Sequence, residues 1–221
     1  MRKVILFDID GTLVDCGGAG RRAMEAAFGR LHGRDDALRH LVFGGMTDPA
    51  IVREGLRVIG APAEKHQVDA VLTLYLDILV EELPKTDRFR VIELAVEFAV
   101  RARTLGHHVG IGTGNLERGA AIKLGHAGIA AHFTFGGYSS DAEDRSELLA
   151  RGAERGRALA GGDAEVVVIG DTPRDVAAAH AIRASCIAVA TGRFSVADLE
   201  AAGAKTAVPN LADARAAQVL D

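Results

Sequence analysis

The chain has 221 residues, 48% of them hydrophobic and 25% charged, with 26 glycines against 5 prolines, a balance that excludes a disordered or low-complexity protein and implies one core domain with an insertion. A net charge of −4 without any block of lysine or arginine argues against nucleic acid or an anionic membrane as the main partner and points to a small solute. The cysteines, Cys16 and Cys186, lie too far apart in sequence to form a disulfide framework or a zinc site by themselves. The opening "MRKVILF" is cut short of a signal-peptide core by Asp8 and Asp10, so the expected location is the cytoplasm.

The first element is the apolar run "KVILFD" at 3–8, which ends in two carboxylates one residue apart, Asp8 and Asp10. After it comes a long segment, about 16–85, with helical periodicity and no convincing strand. "TDPAIVREGLRVIG" carries Thr47 or Asp48 as a cap with Pro49 in the first turn. In "AEKHQVDAVLTLYLDILVEEL", Val68, Val71, Leu72, Tyr75 and Leu79 form an apolar stripe suited to a core. The loop "FGGMTDP" at 43–49, between "GRRAMEAAFGRLHG" and "TDPAIVREGLRVIG", offers Gly45, Thr47 and Asp48 either to a substrate or simply to a helix start.

Beyond 85 the pattern changes to βα repeats. "VIELAVEFAVRARTLG" places Ile92, Val96, Ala99 and Arg103 at helical spacing and stops at Gly106. The apolar runs "HHVGIGT" at 107–113, "HFTFGG" near 132–137, "EVVVIGD" at 165–171 and "SCIAVAT" at 185–191 follow, and "LADARAAQVLD" reads as a short terminal helix. Runs that are continuous, not alternating, belong to a parallel sheet covered on both faces. The expected fold is therefore α/β, a doubly wound parallel sheet, with a core at 1–15 and 86–221 and a smaller helical cap at 16–85.

In such a sheet the ligand crevice lies beyond the C-terminal strand ends. The first strand stops at Asp8 and Asp10, the second in "GTGN" with Thr113, Gly114 and Asn115, and the fourth in "GDTPRD" with Asp171 and Asp175. Four carboxylates converging from two strand ends repel one another unless a cation offsets them, and hard oxygen ligands with room for substrate phosphate suit Mg²⁺. For Asp171 and Asp175 the bland alternative is a helix cap and a first-turn acid. Several motif-like features carry no chemistry. "GIGTGN" lacks dinucleotide spacing, Cys16 reads as a buried or half-buried thiol, and His107 and His108 adjoin a strand start away from the reactive end.

"DIDGTL", Thr113 and "GDTPRD", in this order, resemble the first, second and fourth motifs of the haloacid dehalogenase superfamily of phosphohydrolases, and the resemblance spans essentially the whole chain. It implies that Asp8 is a nucleophile that forms an aspartyl-phosphate. Asp10 would then be a general acid and base, and Thr113, Gly114 and Asn115 would cradle phosphate. Asp8, Asp10, Asp171 and Asp175 would hold Mg²⁺, with Asp171 a direct ligand and Asp175 in support. The family's third motif, a lysine or arginine often within "KP", has no such pair here. Arg145 of "SSDAEDRSELL" is the candidate, against a surface ion pair with Glu143 or Asp144, while Lys123 is expected on a helix surface outside the site. The implied activity is a phosphatase for a small phosphorylated metabolite, as monomer or homodimer. A sugar-phosphate mutase of the β-phosphoglucomutase type and a non-catalytic binding protein are the alternatives.

Overall fold

The computed structural model describes residues 2–220; Met1, in the expected core, and Asp221, the last residue of the expected terminal helix, lie outside them. The chain runs β1 (Lys3–Phe7), β2 (Val14–Cys16), α1 (Ala19–His32), α2 (Asp48–Val58), α3 (Lys65–Glu82), β3 (Phe89–Val91), α4 (Glu93–Thr104), β4 (His108–Gly112), α5 (Glu117–His126), β5 (Gly136–Gly137), α6 (Arg145–Ala160), β6 (Glu165–Gly170), α7 (Pro173–Ala181), β7 (Ser185–Val189), α8 (Val196–Ala201), β8 (Thr206–Val208) and α9 (Ala214–Ala217).

The main sheet has the order β5-β4-β1-β6-β7-β8, parallel throughout. Counting its strands along the chain gives 3-2-1-4-5-6, the doubly wound order, whose crevice opens where the winding reverses beside the first strand. The alternation of β1 explains its continuous apolar sequence. Ile5 and Phe7 join the core under α4 and α5, while Val4 and Leu6 join the core under α6 and α7. Phe7 meets Phe98 and Phe133 edge-on, with ring centroids 6.3 and 5.9 Å apart.

The segment between β2 and β3 is helical, and its apolar stripe Val68, Val71, Leu72, Tyr75 and Leu79 is buried. The chain leaves and re-enters the core side by side, because β2 and β3 pair antiparallel, Val14 opposite Val91 and Cys16 opposite Phe89. That pair is absent from the sequence expectations, as is β8; three residues each are too few to show a period. The strand expected near 132–137 shrinks to Gly136–Gly137, since Ala130–His132 forms a 3-10 turn. A Cβ on Gly137 would run into the Leu148 carbonyl, so glycine there lets α6 lie against the sheet edge. On α4 the buried face is Ala95, Phe98, Ala99 and Ala102. His107 is structural: it accepts from the Lys3 N–H at 3.1 Å and its Nε2 lies 3.0 Å from the Leu220 carbonyl. Among the described residues no helix is long and apolar enough to cross a membrane.

Candidate active site

The carboxylates at the end of β1 share one crevice because the strand turns directly after them. The Asp8 N–H still bonds the Ile169 carbonyl at 2.8 Å, whereas the N–H groups of Leu13 and Val14 both fold back on the Ile9 carbonyl at 2.9 and 3.0 Å. Gly11 makes the turn with φ of +83°, a conformation that disfavours a side chain, and a Cβ there would strike the Asp171 carboxylate.

Asp8 stands in a buried ionic cluster. Among the described residues, Asp8, Asp171 and Asp175 form a trio of acids whose ligand atoms all lie within 4.8 Å of one another. Burial, then Asp175 and Asp8, push Asp171 up to about 8; burial also lifts Asp8 to about 6, against the pull of Arg145. Such a donor set, all oxygen and short of positive charge, fits a hard divalent cation. Among the described residues Asp171 accepts from the Thr12 hydroxyl at 3.3 Å and has no cation beside it. Asp175 is saturated. Its Oδ2 accepts from the Thr172 N–H and hydroxyl at 3.0 and 2.7 Å in the capping box that starts α7, and its Oδ1 accepts from Arg145 Nε and Nη2 at 3.0 and 2.5 Å. It is thus both the first-turn acid of the bland reading and part of the cluster.

Arg145 does not pair with Glu143 or Asp144. Glu143 is taken by Arg53, Asp144 caps α6, and the Arg145 guanidinium reaches inward to Asp175 and to Asp8 Oδ1 at 3.3 Å.

Asp10 faces elsewhere. It is not a member of the acidic trio; its Oδ2 accepts from Lys123 Nζ at 2.6 Å and Asn115 Nδ2 at 2.8 Å. Burial raises the Asp10 carboxyl, but the Lys123 charge, with hydrogen bonds from Lys123, Asn115 and Cys16, outweighs it and holds the group below the usual carboxylate range. Its carboxylate lies outside the acidic trio, held by Lys123 and Asn115.

Lys123 corrects the sequence expectation. It is buried, 3% exposed, and its ammonium also donates to Asn115 Oδ1 at 2.6 Å. In α5 Lys123 falls four residues after Gly119 and three after Ala120, on the helix's buried face. Asn115 bridges onward by donating to Thr113 Oγ1 at 2.9 Å. Thr113 is fully buried and its N–H is spent on the Gly137 carbonyl, which leaves the hydroxyl proton as its donor into the crevice.

The helical segment covers this floor. Gly45 offers its carbonyl to Arg145 Nη1 at 3.4 Å and Gly44 offers its own to Arg174. Asp48 ties α2 to the loop after β4 twice: its N–H donates to the Gly114 carbonyl at 2.8 Å and its Oδ2 accepts from the Leu116 N–H at 2.9 Å. Gly114 is glycine because a Cβ would overlap the Met46 carbonyl. Thr47 sits at the N-cap of α2 without a capping bond, its buried hydroxyl unpartnered. The cavity between core and roof, about 220 Å³, is lined by Asp8, Asp10, Thr113, Lys123, Arg145 and Asp171 from the core and by Arg21, Met24, Phe43, Asp48, Ile51 and Tyr75 from the roof. Cys16 also borders it as a buried thiol, pushed up by burial and by Asp10.

A parallel doubly wound sheet with a helical roof and paired aspartates after its first strand defines a hydrolase of the haloacid dehalogenase type. The model of the family described as haloacid dehalogenase-like hydrolase matches residues 2–183, and the chain belongs to that family. A search of curated proteins gave no match. Among solved structures, the chain is similar to a predicted phosphatase from Clostridium acetobutylicum at 18% identity, covering 100% of this chain and 99% of that one with a TM-score of 0.72. It is also similar to a hydrolase from Pseudomonas syringae, at 21% identity, 95% and 94% coverage and a TM-score of 0.71. A predicted phosphoglycolate phosphatase from Haemophilus somnus shares 13% identity over 100% of this chain and 98% of its own, with a TM-score of 0.68. At these identities the likeness speaks for the fold.

Proposed function

We propose that the protein is a Mg²⁺-dependent phosphatase that hydrolyses a small phosphomonoester through an aspartyl-phosphate on Asp8, with residues 16–85 acting as a cap over a core of 1–15 and 86–221. The observation that carries this reading is the division of labour between two aspartates one residue apart. Asp8 lies 3.3 Å from Arg145 beside Asp171 and Asp175, whereas Asp10 is held 2.6 Å from Lys123. On this reading the first carboxylate receives the phosphoryl group and the second handles a proton.

Asp8 and Asp171 would hold the cation, with Asp175 behind them. When bound, it neutralises the charge of the nucleophile and the phosphoryl oxygens. Arg145, kept in place by Asp175, offers its fork to the phosphoryl oxygens and to Asp8. Thr113 donates its hydroxyl to a third oxygen, with Gly114 and Asn115 forming the turn beside it. Asp10, ionised at rest beside Lys123, takes up a proton from solvent as the substrate's negative charge enters; Asp8 attacks phosphorus as the ester oxygen departs with that proton, and Asp10 then takes a proton from the water that releases phosphate. Asn115 and Lys123 aim Asp10 in both halves. The roof excludes bulk water and admits only small esters.

The test is hydrolysis of a panel of small phosphate esters, p-nitrophenyl phosphate included, with Mg²⁺ and again with EDTA. Turnover abolished by the chelator and restored by Mg²⁺ supports the reading; no turnover of any ester under either condition defeats it and favours a binding protein. A mutase on the same core would require a bisphosphate and release no phosphate from a monoester.

A further inference from the structure

The charge inventory of the cavity limits what the ester's alcohol can be. Among the described residues the cations lining it are Arg21, Lys123 and Arg145, and each is committed. Arg145 belongs to Asp8 and Asp175, and Lys123 to Asp10 and Asn115. Arg21 donates from Nη1 to Glu25 and the Leu38 carbonyl at 3.2 and 2.9 Å and from Nη2 to the Leu41 carbonyl at 2.5 Å, and it stacks 3.9 Å over the Phe43 ring.

The roof instead presents an acceptor. Asp48 lines the cavity with one oxygen bonded to the Leu116 N–H, while among the described residues its Oδ1 has no hydrogen-bond partner, and neither has the Tyr75 hydroxyl beside it. Burial pushes Asp48 up to about 6, so near pH 7 it is mostly ionised. Met24, Phe43 and Ile51 supply apolar walls around these two groups.

We propose, building on the phosphatase reading above, that the substrate is the phosphomonoester of a small alcohol bearing a hydroxyl or ammonium donor and no second anionic group, selected by Asp48. A donor on the alcohol meets the free Asp48 oxygen in a charge-assisted hydrogen bond. A second carboxylate or phosphate would lose its water, find no uncommitted cation and face a like charge, and each of these disfavours binding.

The probes are glycerol phosphate, ethanolamine phosphate, 2-phosphoglycolate and glucose 1,6-bisphosphate, each scored by kcat/KM with Mg²⁺, with p-nitrophenyl phosphate as the activity control. The first two should exceed the two dianionic-tailed or carboxylate probes by about tenfold or more, the worth of one hydrogen bond to a charged group. Asp48→Asn keeps a carbonyl for the Leu116 N–H but removes the charge, and should narrow the gap between ethanolamine phosphate and 2-phosphoglycolate by about tenfold, or about 1.4 kcal/mol. The wild-type ranking decides the matter even where the variant folds poorly. If 2-phosphoglycolate or the bisphosphate equals or surpasses glycerol phosphate, the inference is overturned and the phosphatase reading stands. An unchanged gap in a folded Asp48→Asn enzyme removes Asp48 as the selector, and silence on every probe, the control included, takes the phosphatase reading and this inference together.

Discussion

Replacing Lys123 by methionine removes a charge while keeping a buried stem of similar length. The ammonium lies 2.6 Å from both Asp10 Oδ2 and Asn115 Oδ1, and its side chain is only 4% exposed. A hydrogen bond to a charged group contributes about 1.5–3 kcal/mol. The Asp10 side chain is 44% exposed to the cavity, so water screens part of the loss and the lower figure, about 1.5 kcal/mol, applies. In a chain of this size that is a fall in Tm of about 3–6 °C. The consequence for turnover is separate: Asp10 keeps Asn115 but loses the donor that fixes its direction. Positioned acid–base groups contribute roughly 10²- to 10⁴-fold, and misdirecting one while leaving it present should lower kcat by about tenfold or more. KM for p-nitrophenyl phosphate should move by less than about threefold, because the phosphoryl contacts proposed here come from Arg145 and Thr113. Steady-state kinetics beside a thermal melt measure both effects. A folded Lys123→Met enzyme with kcat within about twofold of wild type would show that the Lys123–Asp10 contact does not direct the proton.

Arg145→Ala leaves Asp8 and Asp175 facing each other without their shared cation, so kcat/KM should drop by about 10²- to 10³-fold; loss of less than about tenfold excludes Arg145 from the phosphoryl site. Asp171→Asn relieves repulsion within the buried trio, so the metal-free protein should melt no lower than wild type while its stabilisation by Mg²⁺ disappears. For wild type at a hundredfold excess over Kd that stabilisation is about 2.7 kcal/mol, and an Asp171→Asn protein that Mg²⁺ stabilises equally well contradicts the assignment.

What was legible in the sequence follows from how each feature is encoded. Strands β1, β4, β6 and β7 are continuous apolar runs because both of their faces are covered, and their polar stops mark the crevice. β2, β3 and β8 span three residues each, shorter than any periodicity, and exist through pairing alone. Arg145 and Lys123 differ in a more instructive way. Arg145 opens α6 next to a strand end, so its place in the chain already brings it near the crevice. Lys123 sits two turns into α5, and only the side of the helix it occupies carries it to Asp10. A charged residue on a glycine- and alanine-rich face reads as a surface group unless a buried partner is known, and that partner is 113 residues away. The cap contacts are of the same kind: Asp48 reads as a helix start from its neighbours, while its bonds to Gly114 and Leu116 depend on how the roof lies on the core.

The mechanism requires the phosphoryl group to pass to Asp8. Asp10→Asn, which retains Asp8 and the charge cluster but cannot accept a proton from water, should form the phosphoenzyme with p-nitrophenyl phosphate and then stall. Rapid quench in acid with phosphate-labelled substrate, followed by peptide mapping, should place close to one equivalent of label per chain on the peptide containing Asp8, and none in the Asp8→Asn, Asp10→Asn double variant. Nitrophenolate release by Asp10→Asn without any trapped label, or label on another residue, would contradict the mechanism.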